Sequence, residues 1–353
     1  MEEEAIDLLK QLIEIPSFSR EEEKTADLLA EFLEAHHAKV KRSGNNVWAF
    51  NKYFDATKPT ILLNSHHDTV KPNQGYTKDP FQPEVVDDHL FGLGSNDAGG
   101  ALVSLLATFL HFTERKDLGL NLIFAGTAEE EISGKNGIES IIPDMGKIDF
   151  ALVGEPTQMK LAVAEKGLLV LDCVAQGKAG HAARNEGENA IYKAIEDIKW
   201  FETYEFDKVS GTLGEMHMSV TQVAAGSQHN VVPDQCSFVV DVRVTEAYSL
   251  EETIEIIEDH VACDVKPRSI RLQPSGIATD HPIHNVAKKL NLEKFGSPTL
   301  SDQALMPFPS VKIGPGDSAR SHTADEYIYL NEVREGIKLY IEIIEALNKE
   351  SGF

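Results

Sequence analysis

Cysteine is scarce in this chain of 353 residues, with only Cys173, Cys236 and Cys263. An odd number of widely separated thiols, without the close pairs of a zinc ribbon or redox motif, excludes a disulfide-stapled scaffold and predicts buried reduced cysteines. Positive charge is also short, since 33 Lys and Arg stand against 57 Asp and Glu, for a formal charge of −24. That balance excludes a generally basic surface for a polyanion, and nucleic acid is not an expected partner. Long apolar runs are missing too. The most apolar stretch, Ala101 to Phe112, is broken by Ser104, Thr108 and His111 and falls short of the ~20 residues that cross a bilayer, so no membrane association is expected. The first residues, M-E-E-E-A-I-D-L-L-K, place acid where a secretory leader carries positive charge, and a cytoplasmic location is the expectation.

What is present is the composition of an ordinary globular protein, with 42% hydrophobic and 25% charged residues. The length suits two domains at roughly 150 residues each. Apolar spacing predicts a helix from about Glu3 to Glu14, stopped by Pro16, and a second helix opened by a capping box of Ser19 and Glu22. Short apolar runs at Asn46 to Phe50, Thr60 to Ser65, Asn121 to Ala125 and Phe150 to Val153 read as strands, with Ala98 to Phe112 a long helix among them. This is an α/β pattern with a mostly parallel sheet flanked by helices. Beyond Glu155 the order becomes βαββαβ: strand Leu168 to Ala175, helix Asn189 to Phe201, strands near His217 to Val223 and Ser237 to Val244, helix Leu250 to His260, strand Ser269 to Leu272. That is a ferredoxin-like α+β arrangement, so residues 166–273 are expected as a domain inserted between 1–165 and 274–353. Helices near His284 to Phe295 and at Leu330 to Leu347 complete the second part.

The chemistry gathers where apolar strands end. In L-L-N-S-H-H-D-T-V a buried-looking strand delivers His66, His67 and Asp68, and the i, i+2 spacing puts His66 and Asp68 on one side. F-G-L-G-S-N-D-A-G-G sets Asp97 among glycines before the long helix. It fails as a dinucleotide fingerprint because Asp97 stands where the third glycine belongs. L-I-F-A-G-T-A-E-E-E delivers Glu129, Glu130 and Glu131, A-L-V-G-E-P-T delivers Glu155, and the bent loop G-P-G-D-S-A-R-S-H-T supplies His322. Each feature alone is commonplace, since a Glu run is usually a solvated face and a glycine-rich loop a simple turn. Their coincidence at the sheet edge where open α/β folds bind ligands is not. His66, Asp97, Glu131, Glu155 and His322 offer two imidazoles and three carboxylates, a set suited to two divalent cations. Zinc is favoured, and cobalt and manganese share much of the same chemistry.

In this order the motifs S-H-H-D-T-V, G-L-G-S-N-D-A-G-G, T-A-E-E-E, G-E-P-T and G-P-G with S-H-T-A-D-E-Y resemble the acetylornithine deacetylase/succinyl-diaminopimelate desuccinylase type of metallohydrolase. That family also holds carboxypeptidases, aminoacylases and dipeptidases. The resemblance spans essentially the whole chain and implies a zinc-peptidase-like catalytic domain with an inserted lid or dimerisation domain. It implies that His66, Asp97 and Glu155 hold one cation and Asp97, Glu131 and His322 the other, with Asp97 bridging. Asp68 would orient His66, Glu130 would be the general base, and His181 would reach the neighbouring subunit's site in a homodimer to stabilise the oxyanion. Two departures stand out. Ala98 and Gly99 replace the usual residues after the bridging aspartate, and Glu165 and Lys166 stand where diaminopimelate-specific members carry a pair of arginines.

Asn230 and Arg243 match family positions that bind the acyl or carboxylate end of the substrate, with Arg184 a further candidate. Asp302 and Asp317 could receive a cationic amine. The expectation is a deacylase releasing ornithine from a small N-acyl-ornithine, acetyl or succinyl, in arginine biosynthesis. The alternatives are a diaminopimelate desuccinylase, an acyl-lysine deacylase or a di- or tripeptidase of the same fold.

Overall fold

The structure, a computed structural model, describes residues 1–184 and 186–350 and divides into two compact units. The first comprises Met1–Val163, Gly276–Phe295 and the chain from Ser301 onward; the second comprises Ala164–Ser275 and Gly296–Leu300.

In the first unit, the strands Thr60–His66 and Asn121–Thr127 are buried along their whole length, as is Phe150–Val153. Continuous apolar runs of this kind mark parallel strands covered on both faces. Thr60–His66 indeed lies parallel to both of the others, and Ser310–Lys312 extends the sheet parallel to Phe150–Val153. On the other side the sheet becomes antiparallel, through Asn46–Phe50 and Lys39–Ser43. Alternate residues divide between two cores. Ile61, Leu63, Leu122, Phe124, Phe150 and Leu152 pack with the helices Glu2–Ile13, Gly100–Thr113 and Leu330–Leu347. Leu62, Ile123, Ala125 and Ala151 pack with Trp48 and the helix Ile138–Met145 on the opposite face. The three parallel strands therefore end at one edge, and the loops that leave them are brought together there.

The second unit is a four-stranded antiparallel sheet in the order His217–Ala225, Gln235–Val244, Gly167–Gln176, Asp264–Pro267. Its helices Ala190–Thr203 and Leu250–His260 begin at Asn189 and Ser249, whose side chains accept from Ile191 N and Glu252 N. The three cysteines are free and buried, all within this unit's core.

Four local expectations need correction. The last strand of this unit is Asp264–Pro267 rather than Ser269 to Leu272: Val265 faces Cys173 across the ladder, and Pro267, without an N–H, sits at a sheet edge where no donor is needed. Ser19 does not cap the second helix, which runs Glu23–Ala35; its hydroxyl donates instead to Asp68 Oδ2 at 2.7 Å. The long helix starts at Gly100, because the residues from Ser95 to Gly99 form a separate turn with a cis Asp97–Ala98 peptide bond. The helix near His284 is only Ile283–Lys289, since Asn291 turns with φ of 55° and the chain proceeds to the strand Lys294–Ser297. Among the described residues no helix is long and apolar enough to cross a membrane.

Candidate metal centre

His66 is the last residue of its strand and its side chain is buried. The Nδ1–H of its imidazole can donate to the Asp68 carbonyl 2.9 Å away, which leaves Nε2 to face outward. Nε2 lies 3.4 Å from Asp97 Oδ1, 3.8 Å from Glu155 Oε1 and 3.9 Å from Glu130 Oε2. His67, pointing to the other side of the chain, contacts Thr25 Oγ1 and the Asn45 carbonyl, both at 2.9 Å. Burial lowers its pKa to about 4.

Asp97 sits in the glycine-rich turn. Gly94 has φ of 75°, and a Cβ there would meet Thr69 Cγ2 at 2.5 Å; a Cβ on Gly99 would lie 2.4 Å from the Gly94 carbonyl oxygen. Only glycine allows this turn to close so tightly. The two carboxylate oxygens of Asp97 face different imidazoles: Oδ1 faces His66, and Oδ2 is 3.7 Å from His322 Nε2. His322 Nε2 in turn is 3.0 Å from Glu131 Oε2. Donor atoms of His66, Asp97 and Glu131 lie within 4.8 Å of one another, as do those of His66, Glu130 and Glu155. All five proposed ligands and Glu130 are thus gathered at one edge, and Glu130 stands as close to His66 as Glu155 does.

The adjoining loops are pinned by further carboxylates. Asp68 is buried, and its Oδ1 accepts from Glu130 N at 3.0 Å while its Oδ2 accepts from Glu131 N at 3.2 Å. Asp68 therefore contacts more than His66, whose Nδ1 lies 2.9 Å from the Asp68 carbonyl and 3.5 Å from its Oδ1. Glu22, with no exposed surface, accepts from Arg20 N, Asn45 Nδ2 and Glu129 N. Glu326 accepts from Gly94 N, Asn96 N and Asp97 N. In sequence Glu22 has the look of a capping residue and Glu326 of an ordinary surface acid, so neither is legible there as a support. The sequence signal for Glu326 is its place in the motif S-H-T-A-D-E-Y, four residues after His322 and just before the apolar strand Tyr327–Tyr329. Asp302, a sequence candidate for binding a substrate amine, is instead buried and accepts from Thr127 Oγ1 at 2.7 Å. Asp317 accepts from Ala319 N and Gln158 Nε2.

So many acids in one place perturb each other. Burial, then repulsion by Asp97, pushes Glu155 up to about 8, despite the opposing pull of His66. Burial also lifts Glu130 well above the usual carboxylate range, helped by Glu155, Asp302 and Glu131 against His66. His322 rises to about 9, first through its hydrogen bond to Glu131. For His66, burial disfavours the charged form, but Glu130, Asp68, Asp97 and Glu155 outweigh it and raise its pKa well above the usual value. A donor set of two imidazoles and several crowded carboxylates, with one carboxylate spanning the two halves, fits a pair of divalent cations.

The remaining sequence candidates belong to the second unit. His181, on the two-residue strand Gly180–His181, pairs with Val231, and its Nδ1 accepts from Ala183 N. Asn230 joins the same ribbon through its carbonyl, which accepts from Ala182 N, and Arg184 is exposed beside it. Arg243 lies apart on Gln235–Val244 with its guanidinium forked onto Asp241 at 2.7 and 3.0 Å, so a substrate carboxylate would have to compete with that pair.

Comparison with known proteins bears on the same residues. The model of peptidase family M20/M25/M40 matches residues 62–346. A Mycobacterium tuberculosis protein named for succinyl-diaminopimelate desuccinylase is 29% identical over 354 residues, covering 95% of this chain and 96% of the relative. A LysW-lysine/LysW-ornithine hydrolase of Saccharolobus solfataricus is 27% identical, over 81% of each chain. Among solved structures, a dinuclear metal-binding M20 peptidase from Bacillus subtilis superposes with a TM-score of 0.76 at 16% identity, over 99% of both chains. The match runs from the strand that carries His66 to the final helix, and with it the chain belongs to peptidase family M20/M25/M40 and is a metallohydrolase.

Proposed function

We propose that this chain hydrolyses the amide bond of an N-acyl-ornithine, acetyl or succinyl, to ornithine and the free acid, as a step of arginine biosynthesis. The observation that carries metal-dependent hydrolysis in this reading is Asp97, whose two oxygens face the two imidazoles at 3.4 and 3.7 Å. His66, Asp97 and Glu155 would hold one zinc ion and Asp97, Glu131 and His322 the other. When bound, such a pair polarises a carbonyl and lowers the pKa of water from about 15.7 towards roughly 7. Glu130, shielded and placed within 3.9 Å of His66 Nε2, would take a proton from the attacking water and return it to the leaving amine. His181, contributed by a second copy of the chain, would donate to the developing oxyanion. Asn230, Arg184 and Arg243 would bind the acyl and carboxylate ends of the substrate.

The names of the two relatives support acyl-amino-acid amides as the substrate class, and the LysW-ornithine relative supports an ornithine-type leaving group. A second reading, hydrolysis of N-succinyl-diaminopimelate, is favoured by the Mycobacterium relative but opposed by Glu165 and Lys166. A homodimer formed through the second unit is supported by Tyr192, Ile195 and Val223, exposed at 69%, 52% and 59%. The test is amine release from N-acetylornithine, N-succinylornithine, N-succinyl-diaminopimelate and Ala-Gly with zinc, cobalt or manganese supplied, together with sedimentation. Cleavage of Ala-Gly alone would end the biosynthetic reading, and a fully active monomer would remove His181 from the mechanism.

A further inference from the structure

The glycine-rich turn that carries Asp97 poses a physical problem. It holds four glycines between Gly92 and Gly100, so its unfolded conformations are numerous and its ordering is costly. Nor does a regular ladder fix it. His322 has a related difficulty: its backbone lies in the left-handed region with φ of 59°, and its side chain is exposed on one flank. Yet Asp97 and His322 must each be placed to within roughly half an ångström of the right geometry if they are to share a cation.

Two reciprocal clamps solve both problems at once. Glu326, four residues after His322 and 2% exposed, reaches into the Asp97 turn. Its Oε1 accepts from Asn96 N at 2.8 Å and Asp97 N at 2.9 Å, its Oε2 accepts from Gly94 N at 3.1 Å, and its own carbonyl accepts from Gly92 N at 3.0 Å. In the opposite direction, Asn96 reaches into the turn before His322. Its Oδ1 accepts from Asp317 N at 2.9 Å, and its Nδ2 donates to the Asp317 carbonyl at 3.0 Å and to Ser321 Oγ at 3.3 Å. Each ligand's loop is therefore held by a side chain belonging to the other's loop.

We propose that Glu326 and Asn96 are positioning residues for the half of the metal centre formed by Asp97, Glu131 and His322, setting its geometry without touching a cation. The proposal rests on the ligand assignment given above. It separates this half from the other, whose ligand His66 is fixed by its own strand and by the Asp68 carbonyl, and whose Glu155 comes directly after Gly154, the carbonyl of which accepts from Ser65 Oγ at 2.8 Å. Losing a clamp should weaken one cation far more than the other.

Glu326→Gln tests this with nearly unchanged volume. The amide keeps one acceptor oxygen but turns an NH2 towards a backbone N–H, so at least one buried donor loses its partner. Metal dissociation constants would be measured by chelator competition on the full chain, with zinc and with cobalt, and the visible absorption of the cobalt form would report ligand geometry. The expected result is a ~10–100-fold weaker binding of one cation, the same one weakened by His322→Ala, with the other, which shares Asp97, weakened far less and the cobalt spectrum altered. Added to His322→Ala, the substitution should cost little more at that cation. Unchanged affinities and spectrum in Glu326→Gln, alongside weakened binding in Asp97→Asn and His322→Ala, would overturn the clamp while leaving the ligand assignment intact. Full-strength binding of both cations by Asp97→Asn would defeat the assignment itself, and the clamp with it. Should Glu326→Gln fail to fold, Asn96→Ala decides: selective weakening of the same cation upholds the clamp, and wild-type affinities refute it.

Discussion

Asp68→Asn isolates one electrostatic element of the site at constant shape. The native carboxylate accepts from Ser19 Oγ at 2.7 Å, Glu130 N at 3.0 Å and Glu131 N at 3.2 Å. It is ionised: burial opposes its charge, but His66 and the hydroxyl of Ser19 outweigh burial and hold its pKa below the usual value. An asparagine can keep one of the two backbone donors on its oxygen and can accommodate Ser19 by rotation of the hydroxyl. The other donor, Glu130 N or Glu131 N, then faces an NH2 group. An orphaned buried N–H costs about 1–3 kcal/mol, and a charge-assisted bond is lost as well. Because the affected atoms carry the proposed base and one ligand, the cost should appear in function as well as in stability. A fall of about 10–100-fold in kcat/KM is expected, with weaker metal retention. The assay is amide hydrolysis of an N-acyl amino acid alongside bound-metal analysis and thermal unfolding. Wild-type kcat/KM with wild-type metal content would refute the tether. A lowered Tm with unchanged kcat/KM would reduce Asp68 to a structural acid.

Glu130→Gln should keep bound metal and fold while losing roughly 10²–10⁴-fold in kcat, as expected for removal of a general base; loss of a cation instead would mark Glu130 as a ligand in place of Glu155. Gly99→Ala forces a Cβ to 2.4 Å from the Gly94 carbonyl and 2.6 Å from Leu9 Cδ1, and should destabilise the chain by about 1–3 kcal/mol in denaturant unfolding; a neutral result would show that the turn has room to move. His281 and His284 give a pH signature. Burial lowers both imidazoles, aided by the His284 charge at His281 and by Lys294 at His284. Since the folded values lie below the unfolded one near 6.5, their contribution is complete above that pH and is lost as pH falls through the lowered values. Comparing Tm at about pH 7.5 and 5.5, His284→Gln should show a smaller acid-side drop than wild type, and an equal drop would contradict the assignment.

Much of the candidate site is legible in the sequence because three of its proposed ligands, His66, Glu131 and Glu155, lie at or just after the least ambiguous feature there, parallel strands buried on both faces. Thr60–His66, Asn121–Thr127 and Phe150–Val153 announce themselves as apolar runs, and polar residues that end such runs emerge at the edge of the sheet where a ligand can reach them. The helix Leu330–Leu347 is equally plain from its one-sided apolar spacing. The supporting carboxylates are not. In a chain with 57 acidic residues, Glu22, Asp302 and Glu326 resemble any solvated acid, and only the folded contacts reveal that each is buried and accepts hydrogen bonds from chain segments next to the ligands. Local pattern also misleads at Ser19, where the spacing of a capping box competes with a tertiary hydrogen bond to Asp68 and loses. At residues 269–272, alternation alone suggests a strand, although the ladder is already filled by Asp264–Pro267.

The most direct measurement titrates the metal-stripped chain with zinc while following both binding and N-acyl-ornithine hydrolysis. The account predicts about two equivalents bound per chain, activity that rises with them, and loss of both binding and turnover in Asp97→Ala. Hydrolysis that persists after the metal is removed, or a fully active Asp97→Ala chain, would contradict it.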